Sequence, residues 1–397
     1  MVSNTRHFKI LYFFFYFTIA IFSGFTIAYL NGLGFSATQV GFFMSLLYFF
    51  GFLGQFITGY ICDLKNTIKK VYFLWMIFLT VLIFFFFKLH VPVKQAIFIS
   101  MIGFFQSSIM ALLDSWVLES NDSIKNDFGP IRAFGSIGWG ISTLLIGKII
   151  DKFGWDIVGI LYIVFASIVL IITYNTKDAK ETKQEKEQVD SDLGIATLKK
   201  LFKNKPYVQL ITIFFLLYIS FHCVAMFSVI LIENFGGNKS DIGLFLLVAA
   251  FSEVPILLNA KGLMKRFNLP VLLVISSAFF LIRTLLTAFS NSVFSIILLS
   301  TLQMPSFSIF VFIAKYLIDE VSPHSLKTSS QTIAMAVSGG LSGIISLNTS
   351  GYLADRLGIQ KLLFIITGLC AIALILSIKY LLSYSLYTKK INGIESK

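Results

Sequence analysis

Charged residues are scarce in this chain, because Asp, Glu, Lys and Arg together make up only 13% of its 397 residues while 56% are hydrophobic. A water-soluble domain needs more polar surface than this composition supplies. Cysteine is also rare: Cys62, Cys223 and Cys370 lie far apart, without CxxC or Cys/His spacing, so no metal site is predicted. HExxH and GxSxG motifs are missing, which argues against a membrane-embedded enzyme, and no cofactor is predicted.

Twelve long hydrophobic segments occupy most of the chain. Each has about the ~20 residues that a helix needs to cross roughly 30 Å of hydrocarbon. The first begins after Arg6, His7 and Lys9 and lacks a small-residue cleavage site, so we expect a retained span and not a cleaved signal. The sequence predicts an all-α membrane protein with twelve transmembrane helices, near residues 10–30, 40–61, 71–87, 95–118, 131–150, 156–174, 207–232, 242–260, 271–289, 293–314, 328–350 and 359–384.

Lys and Arg are distributed unevenly between the two sides of these segments. If the N-terminus is cytoplasmic, 22 of the 32 basic residues fall on cytoplasmic segments. The positive-inside rule favours this orientation. We therefore expect a multi-pass protein of the cell (plasma) membrane with both termini in the cytoplasm. The net charge of +12 then reflects topology, and no nucleic-acid partner is predicted.

The chain divides into two similar halves. A lysine-rich segment over 175–205 predicts a solvated cytoplasmic linker between a six-helix bundle over 1–174 and another over 206–397. Two motifs occur once in each half: GFSATQVG at 34–41 matches GGNKSDIG at 236–243, and GKIIDKFG at 147–154 matches GYLADRLG at 351–358. Such repeats predict pseudo-symmetric bundles with a substrate site near the midplane between them.

Several ionisable residues lie inside the predicted spans. A charge in a span costs at least ~2.5–3.5 kcal/mol, so Asp114 and Arg132 are functional candidates that indicate transport of a polar solute. The alternative is a purely structural ion pair. In the second half, Glu253 precedes Pro255, which loosens a helix and can free carbonyl groups.

Three further segments are distinctive: LGFSATQVG at 33–41, FGPIRAFGSIGWG at 128–140 and GLFLLVAAFSEV at 243–254. They resemble the major facilitator superfamily, in the branch of the oligosaccharide:proton symporters (lactose permease type) and phenylpropionate permeases. GYICDLK at 59–65 is a degraded form of the GxxxDRxG loop of that superfamily. The resemblance implies the major facilitator fold, alternating access, and a gating loop that includes Gly59, Asp63 and Lys65.

The resemblance also implies roles for the buried polar residues. Asp114, Arg132 and Trp139 look like a sugar site, because a carboxylate and a guanidinium can bind hydroxyls while an indole covers the apolar face of the ring. Ser136 is a further substrate-binding candidate. Trp139 alone is equally consistent with packing or lipid contact.

Proton coupling is implied for Glu253, His222 and Arg283. Arg283 is also consistent with simple neutralisation of Glu253, and His222 with packing between helices.

The tenth span departs from this family pattern, because Gln303 and Ser306 stand where lactose permease has titratable relay residues, and neither can titrate. Coupling must then use Glu253 with His222, use Asp114, or be absent. We expect a monomeric proton-coupled importer of a sugar or glycoside, whose partners are a small polar solute, protons and the lipid bilayer. Import of a small organic acid or nucleoside, uncoupled uniport, and a non-transporting receptor remain open.

Overall fold

The computed structural model describes residues 4–88, 91–179, 201–323 and 326–395. Within these ranges twelve long helices follow one another, and eleven of them are long and apolar enough to cross a membrane. The exception, α8, carries Glu253 in its middle and basic residues in its last turns. The predicted all-α membrane protein is confirmed. The helices are α1 Thr5–Gly32, α2 Ala37–Lys65, α3 Lys69–Phe86, α4 Pro92–Leu118, α5 Phe128–Phe153, α6 Asp156–Asn175, α7 Lys205–Asn234, α8 Lys239–Arg266, α9 Leu269–Ala288, α10 Val293–Val321, α11 Ser330–Leu357 and α12 Ile359–Tyr384.

Local sequence signals determine where these helices begin. The Ser36 side chain accepts from the backbone N–H of Gln39, and Asn238 does the same for Asp241, so α2 and α8 both start in capping boxes. The turns before them place Gly34 and Gly236 at φ values of +84° and +81°, which suit glycine. The repeated motif therefore forms the same turn in each half.

The described ends of the predicted linker are partly packed, because Asp178 and Leu201 are buried while Lys177 and Lys203 are exposed, and the solvated linker over 175–205 stays a prediction. Asp178 is buried, and its carboxylate accepts hydrogen bonds from the Thr67 hydroxyl at 2.5 Å and from the Ile68 N–H at 3.2 Å. Leu201 is fully buried in the core of the second half. Residues 180–200 lie outside the described part of the chain. We call the side that carries Thr5 and both linker ends the near side, and the opposite side the far side.

On the far side, each half provides a carboxylate that caps a helix N-terminus of the other half. Asp355, near the end of α11, accepts from the backbone N–H groups of Ala37 and Thr38 at 3.1 and 2.8 Å. Asp151, near the end of α5, accepts from the first two N–H groups of α8 at 2.9 and 2.7 Å. Each carboxylate therefore supplies the unsatisfied donors at a helix N-terminus that belongs to the other half.

Glycines allow the same helix pairs to approach closely. A Cβ atom added at any of four glycines would collide with a backbone carbonyl of the opposite half: Gly41, Gly147, Gly243 and Gly351. Close backbone approach at small residues is the usual way in which helices pack in lipid. The α2–α11 and α5–α8 pairs are therefore closed on the far side.

A third far-side contact differs between the halves. The Asn31 amide of α1 donates to the Glu233 carboxylate of α7 at 2.6 Å. Glu233 also pairs with the ammonium group of Lys239, which lies 5.7 Å from the ring centroid of Trp155. At this contact the second half contributes the Glu233–Lys239 ion pair, whereas α1 of the first half contributes only the Asn31 amide.

We expect Asp355→Ala to favour opening of the far side, because α2 loses a capping carboxylate. A lost cap costs about 0.5–2 kcal/mol, which shifts the open-to-closed ratio by roughly 2- to 30-fold. Spin labels on exposed Lys94 and Asn291 report this change as a longer distance between them. Asp156→Ala is the matched control, since Asp156 lies in the first turn of its own helix. Unchanged distances in Asp355→Ala contradict the prediction.

Candidate functional site

Asp114 of α4 and Arg132 of α5 form a direct ion pair. The Arg132 Nη1 atom lies 2.8 Å from Asp114 Oδ2, and the Tyr12 hydroxyl donates to Asp114 Oδ1 at 2.7 Å. The ring of Tyr12 in turn stacks on Tyr16, with centroids 5.9 Å apart. One hydrogen bond therefore holds each oxygen of the carboxylate, and Arg132 keeps further N–H donors for a ligand.

The ion pair lies close to the near side of the bundle. Asp114 is four residues before the end of α4, and Arg132 is the fifth residue of α5, so both are about 6 Å from their helix ends. Their side chains are 31% and 43% exposed. The prediction of a substrate site near the midplane between the halves stays a prediction. Both side chains are partly exposed close to the near side, whereas the two helix crossings close the far side.

The other first-half candidates lie further along α5. Trp139 is partly buried and packs against the hydrophobic core, which agrees with its alternative packing role. Ser136 is also partly buried. Gly135 and Gly138 let α5 approach α1, since a Cβ atom at Gly135 would lie 2.7 Å from the Tyr16 ring. The substrate-binding roles of Trp139 and Ser136 stay predictions.

Glu253 of α8 is hydrogen-bonded to Gln303 of α10. The Gln303 amide nitrogen donates to Glu253 Oε1 at 2.7 Å. Arg283 is buried and acts on Glu253 electrostatically without forming a direct ion pair with it. Arg132 also lies within electrostatic range of Glu253, so charged groups of the two halves lie close to one another.

Irregular helix geometry surrounds this second-half pair. A 3₁₀ turn over Thr301–Gln303 and a π turn over Met304–Ser308 interrupt α10 beside Glu253. In α8 the non-helical residue is Asn259, at φ −111° and ψ 15°, one turn after Pro255. Interruptions of this kind occur often at functional sites.

His222 does not join the Glu253 cluster. Its ring contacts Tyr48 of α2 edge to face, with centroids 4.8 Å apart, and its Nε2 atom lies 3.2 Å from the position that a Cβ atom on Gly343 of α11 would take. The Nε2 atom is buried with no hydrogen-bond partner among the described residues. His222 therefore lies where α7 meets α2 and α11, apart from Glu253, and its coupling role stays a prediction.

The predicted gating-loop residues are helical. Gly59, Asp63 and Lys65 belong to the last two turns of α2, which ends in the left-handed residue Asn66 at φ +47°. The prediction of a loop at 59–65 is wrong, because the αL residue places the turn after Lys65. Whether these residues gate transport stays a prediction.

The sequence did not predict the roles of four residues. Tyr12 and Gln303 are the hydrogen-bond partners of Asp114 and Glu253. Asp151 and Asp355 cap helices of the opposite half. The GxxxD(K/R)xG repeat contained a signal for the two aspartates, and the family resemblance drew attention to Gln303 but not to its contact with Glu253, whereas Tyr12 has no motif of its own.

Comparisons with known proteins agree with this architecture. The profile described as "MFS_1 like family" matches residues 5–364. The chain is 24% identical over 273 residues to the maltose permease of Geobacillus stearothermophilus, a match that covers 68% of each protein. It is 23% identical over 282 residues to the probable 3-phenylpropionic acid transporter of Escherichia coli (strain K12), covering 70% of this chain and 72% of that protein.

Another relative is the uncharacterized transporter YwbF of Bacillus subtilis (strain 168), which is 22% identical over 270 residues. That match covers 68% of this chain and 66% of YwbF, slightly less than two thirds of its length.

Solved transporter structures share the fold. The nucleoside transporter NupG superposes with a TM-score of 0.82 at 16% identity, covering 96% of this chain and 99% of NupG. A POT family transporter in complex with 5-aminolevulinic acid gives a TM-score of 0.71 at 14% identity, covering 95% of each chain. The chain is thus a membrane transporter and not an enzyme, and it belongs to the MFS_1-like family of the major facilitator superfamily.

Proposed function

We propose that this protein imports a sugar or glycoside across the cell membrane together with a proton, by alternating access. The observation that carries the proposal is the Asp114–Arg132 pair, whose side chains are partly exposed close to the near-side ends of α4 and α5. Near-side access with far-side closure is the arrangement expected of an inward-open transporter whose termini are cytoplasmic. The distribution of basic residues supports that orientation.

The chemistry of the pair suits a neutral hydroxylated ligand. The carboxylate and the guanidinium neutralise each other, so an uncharged solute does not leave either charge without its partner. Both groups keep hydrogen-bonding capacity: Asp114 has further lone pairs, and Arg132 has further N–H groups in a planar fork. The similarity to a maltose permease supports a sugar.

Glu253 is our candidate for the group that carries the proton. Burial disfavours the charged form of a carboxyl group, whereas nearby Arg132 and Arg283 favour it. Movement of either arginine between the two transport states would change that balance. A proton is then bound in one state and released in the other.

A nucleoside is the second candidate substrate. The NupG fold similarity favours it, as does an aromatic cluster in the second half. Phe221 of α7 and Phe307 of α10 stack with ring centroids 3.8 Å apart, and Tyr218 lies beside Phe307 with a centroid distance of 6.1 Å. Aromatic faces of this kind can stack on a base.

Uptake by purified protein in proteoliposomes tests the proposal. Radiolabelled maltose, uridine and 3-phenylpropionate are compared with and without an imposed pH gradient, acidic on the outside. Accumulation of maltose that requires the gradient supports sugar–proton import. Accumulation of uridine alone selects the second candidate, and equilibration without accumulation indicates an uncoupled carrier. Failure to transport any of the three solutes counts against both proposed substrate classes.

Asp114→Ala is expected to weaken substrate binding by roughly 10- to 100-fold. The change removes a charged acceptor and leaves Arg132 without its partner, which costs about 1–3 kcal/mol at a site that is partly exposed to solvent. Arg132→Lys is expected to be nearly as damaging, since an ammonium group lacks the planar fork. Trp139→Phe is expected to have a mild effect. Equilibrium binding of the transported solute measures all three variants.

The control for these binding measurements is Asp122→Ala, because Asp122 is an exposed near-side carboxylate in the short helix between α4 and α5. It should leave affinity unchanged. Wild-type affinity in a folded Asp114→Ala protein would show that the pair is structural.

Glu253→Gln is expected to abolish accumulation driven by a pH gradient while preserving exchange of internal for external solute. Exchange requires movement of the halves but no net proton release. Asp241→Asn, at the far-side end of the same helix, is the control and should keep both modes. Accumulation by Glu253→Gln at the wild-type rate would remove Glu253 from the coupling mechanism.

Topology is tested with single cysteines at exposed residues on the two sides. We expect Asn126→Cys, in the near-side turn, to react with an impermeant maleimide only in inside-out vesicles, and Asn291→Cys, in the far-side turn, to react on intact cells. The three native cysteines are buried, so we expect little reaction of the maleimide with them. Labelling of position 126 on intact cells would reverse the proposed orientation.

A further inference from the structure

We propose that Gln303 is a positioning residue for proton coupling, whose amide holds the Glu253 carboxyl group in place whether or not it carries the proton. The inference rests on the proposed function, in which Glu253 binds the transported proton. It starts from the direct hydrogen bond of 2.7 Å between the Gln303 amide nitrogen and Glu253 Oε1.

The chemistry of an amide makes this role possible. A glutamine side chain offers two N–H donors and one carbonyl acceptor. Its NH₂ group donates to a carboxyl oxygen of Glu253, as observed, and this bond suits the ionised form. After rotation of the amide, its oxygen can accept the O–H of the protonated acid. The amide itself neither gains nor loses a proton. Gln303 can therefore remain bonded to Glu253 through a complete proton cycle.

The backbone around Gln303 is held firmly. The Ser308 hydroxyl donates to the Gln303 carbonyl at 3.2 Å, within the π turn. Ser276 of α9 donates to the Ser306 carbonyl at 2.8 Å, which ties the same turn to a neighbouring helix. Stacking of Phe307 on Phe221 ties it to α7. The irregular turn therefore fixes the amide opposite Glu253.

The remaining charged groups that act on Glu253 come from two other helices, Arg132 of α5 and Arg283 of α9. Arg132 belongs to the opposite half and can change its distance from Glu253 as the halves move, whereas Gln303 and Arg283 belong to the same half as Glu253. This division gives separate roles: the distance of Arg132 sets the balance between protonated and ionised states, and Gln303 sets the position of the carboxyl group.

Infrared difference spectroscopy of the purified protein in lipid tests the inference without a solute. The signal is the carbonyl stretch of a protonated carboxyl group, followed as a function of pH and assigned to Glu253 by its loss in Glu253→Gln. Charge-assisted hydrogen bonds are stronger than neutral ones, so Gln303 favours the ionised form. Gln303→Met, which is similar in length but cannot hydrogen-bond in this way, should move the midpoint upward by about 0.5–1 pH unit.

Two further variants make the test specific. Ser306→Ala alters the same irregular turn but keeps the Gln303 amide. It should therefore leave the midpoint of the Glu253 titration within roughly 0.2 pH unit of wild type. Gln303→His restores an N–H donor but titrates itself, and it should give two ionisation steps in place of one. A purely structural Gln303 would change protein yield in these variants without moving the midpoint.

The outcomes separate the inference from the proposed function. A band that Glu253→Gln removes, but that Gln303→Met leaves at the wild-type pH, overturns the role of Gln303 alone. If no band in the wild-type spectrum depends on Glu253, then Glu253 is not the proton site, and both proposals fail. An upward shift in Gln303→Met with no shift in Ser306→Ala supports both.

Discussion

Direct contact between backbones holds the two halves of this protein together at two helix crossings, α2 with α11 and α5 with α8. Lipid offers little hydrophobic drive for helix association, so close packing and hydrogen bonds must supply it. Glycines provide the close approach, and Asp151 and Asp355 provide the hydrogen bonds. The α5–α8 crossing also fixes the location of the site, because α5 carries Arg132 and α8 carries Glu253. The contact that closes the far side thus also determines that Arg132 of the first half and Glu253 of the second half lie near each other.

The scaffold is nearly symmetric, whereas its chemistry is not. The two halves share their turns, capping boxes and exchanged carboxylates. The first half places an ion pair close to the near side, supported by Tyr12. The second half places a single carboxyl group against an amide, with irregular turns of α10 close by. A symmetric frame can rock about its central axis, and an asymmetric site gives the two halves different tasks, solute binding in one and proton binding in the other.

The carboxyl groups of Asp114 and Glu253 are stabilised in different ways. Asp114 and Arg132 neutralise each other directly and are partly solvated, so their pairing costs little desolvation. Glu253 and Arg283 are separated, and an uncharged amide takes the place of a direct counter-ion. A carboxyl group in direct contact with arginine would stay ionised, whereas one bonded to an amide is free to change state. This difference agrees with the proposed roles.

The fold class, the helix order and the repeat can be predicted from the sequence alone, because span length and hydrophobicity are local properties that each segment carries independently of its neighbours. Asp114, Arg132 and Glu253 are also evident in the sequence, since a charge stands out in an apolar run. Which residues meet depends on the packing of the helices. Tyr12 carries no distinctive local pattern, and nothing in the tenth span links Gln303 to Glu253, because each pair comes from helices distant in sequence. His222 shows the reverse case, because it is conspicuous in the sequence, yet packing places it beside Tyr48 and apart from Glu253. Long-range contacts depend on how the helices cross, and the crossing is fixed by glycine and carbonyl positions that no single segment reveals.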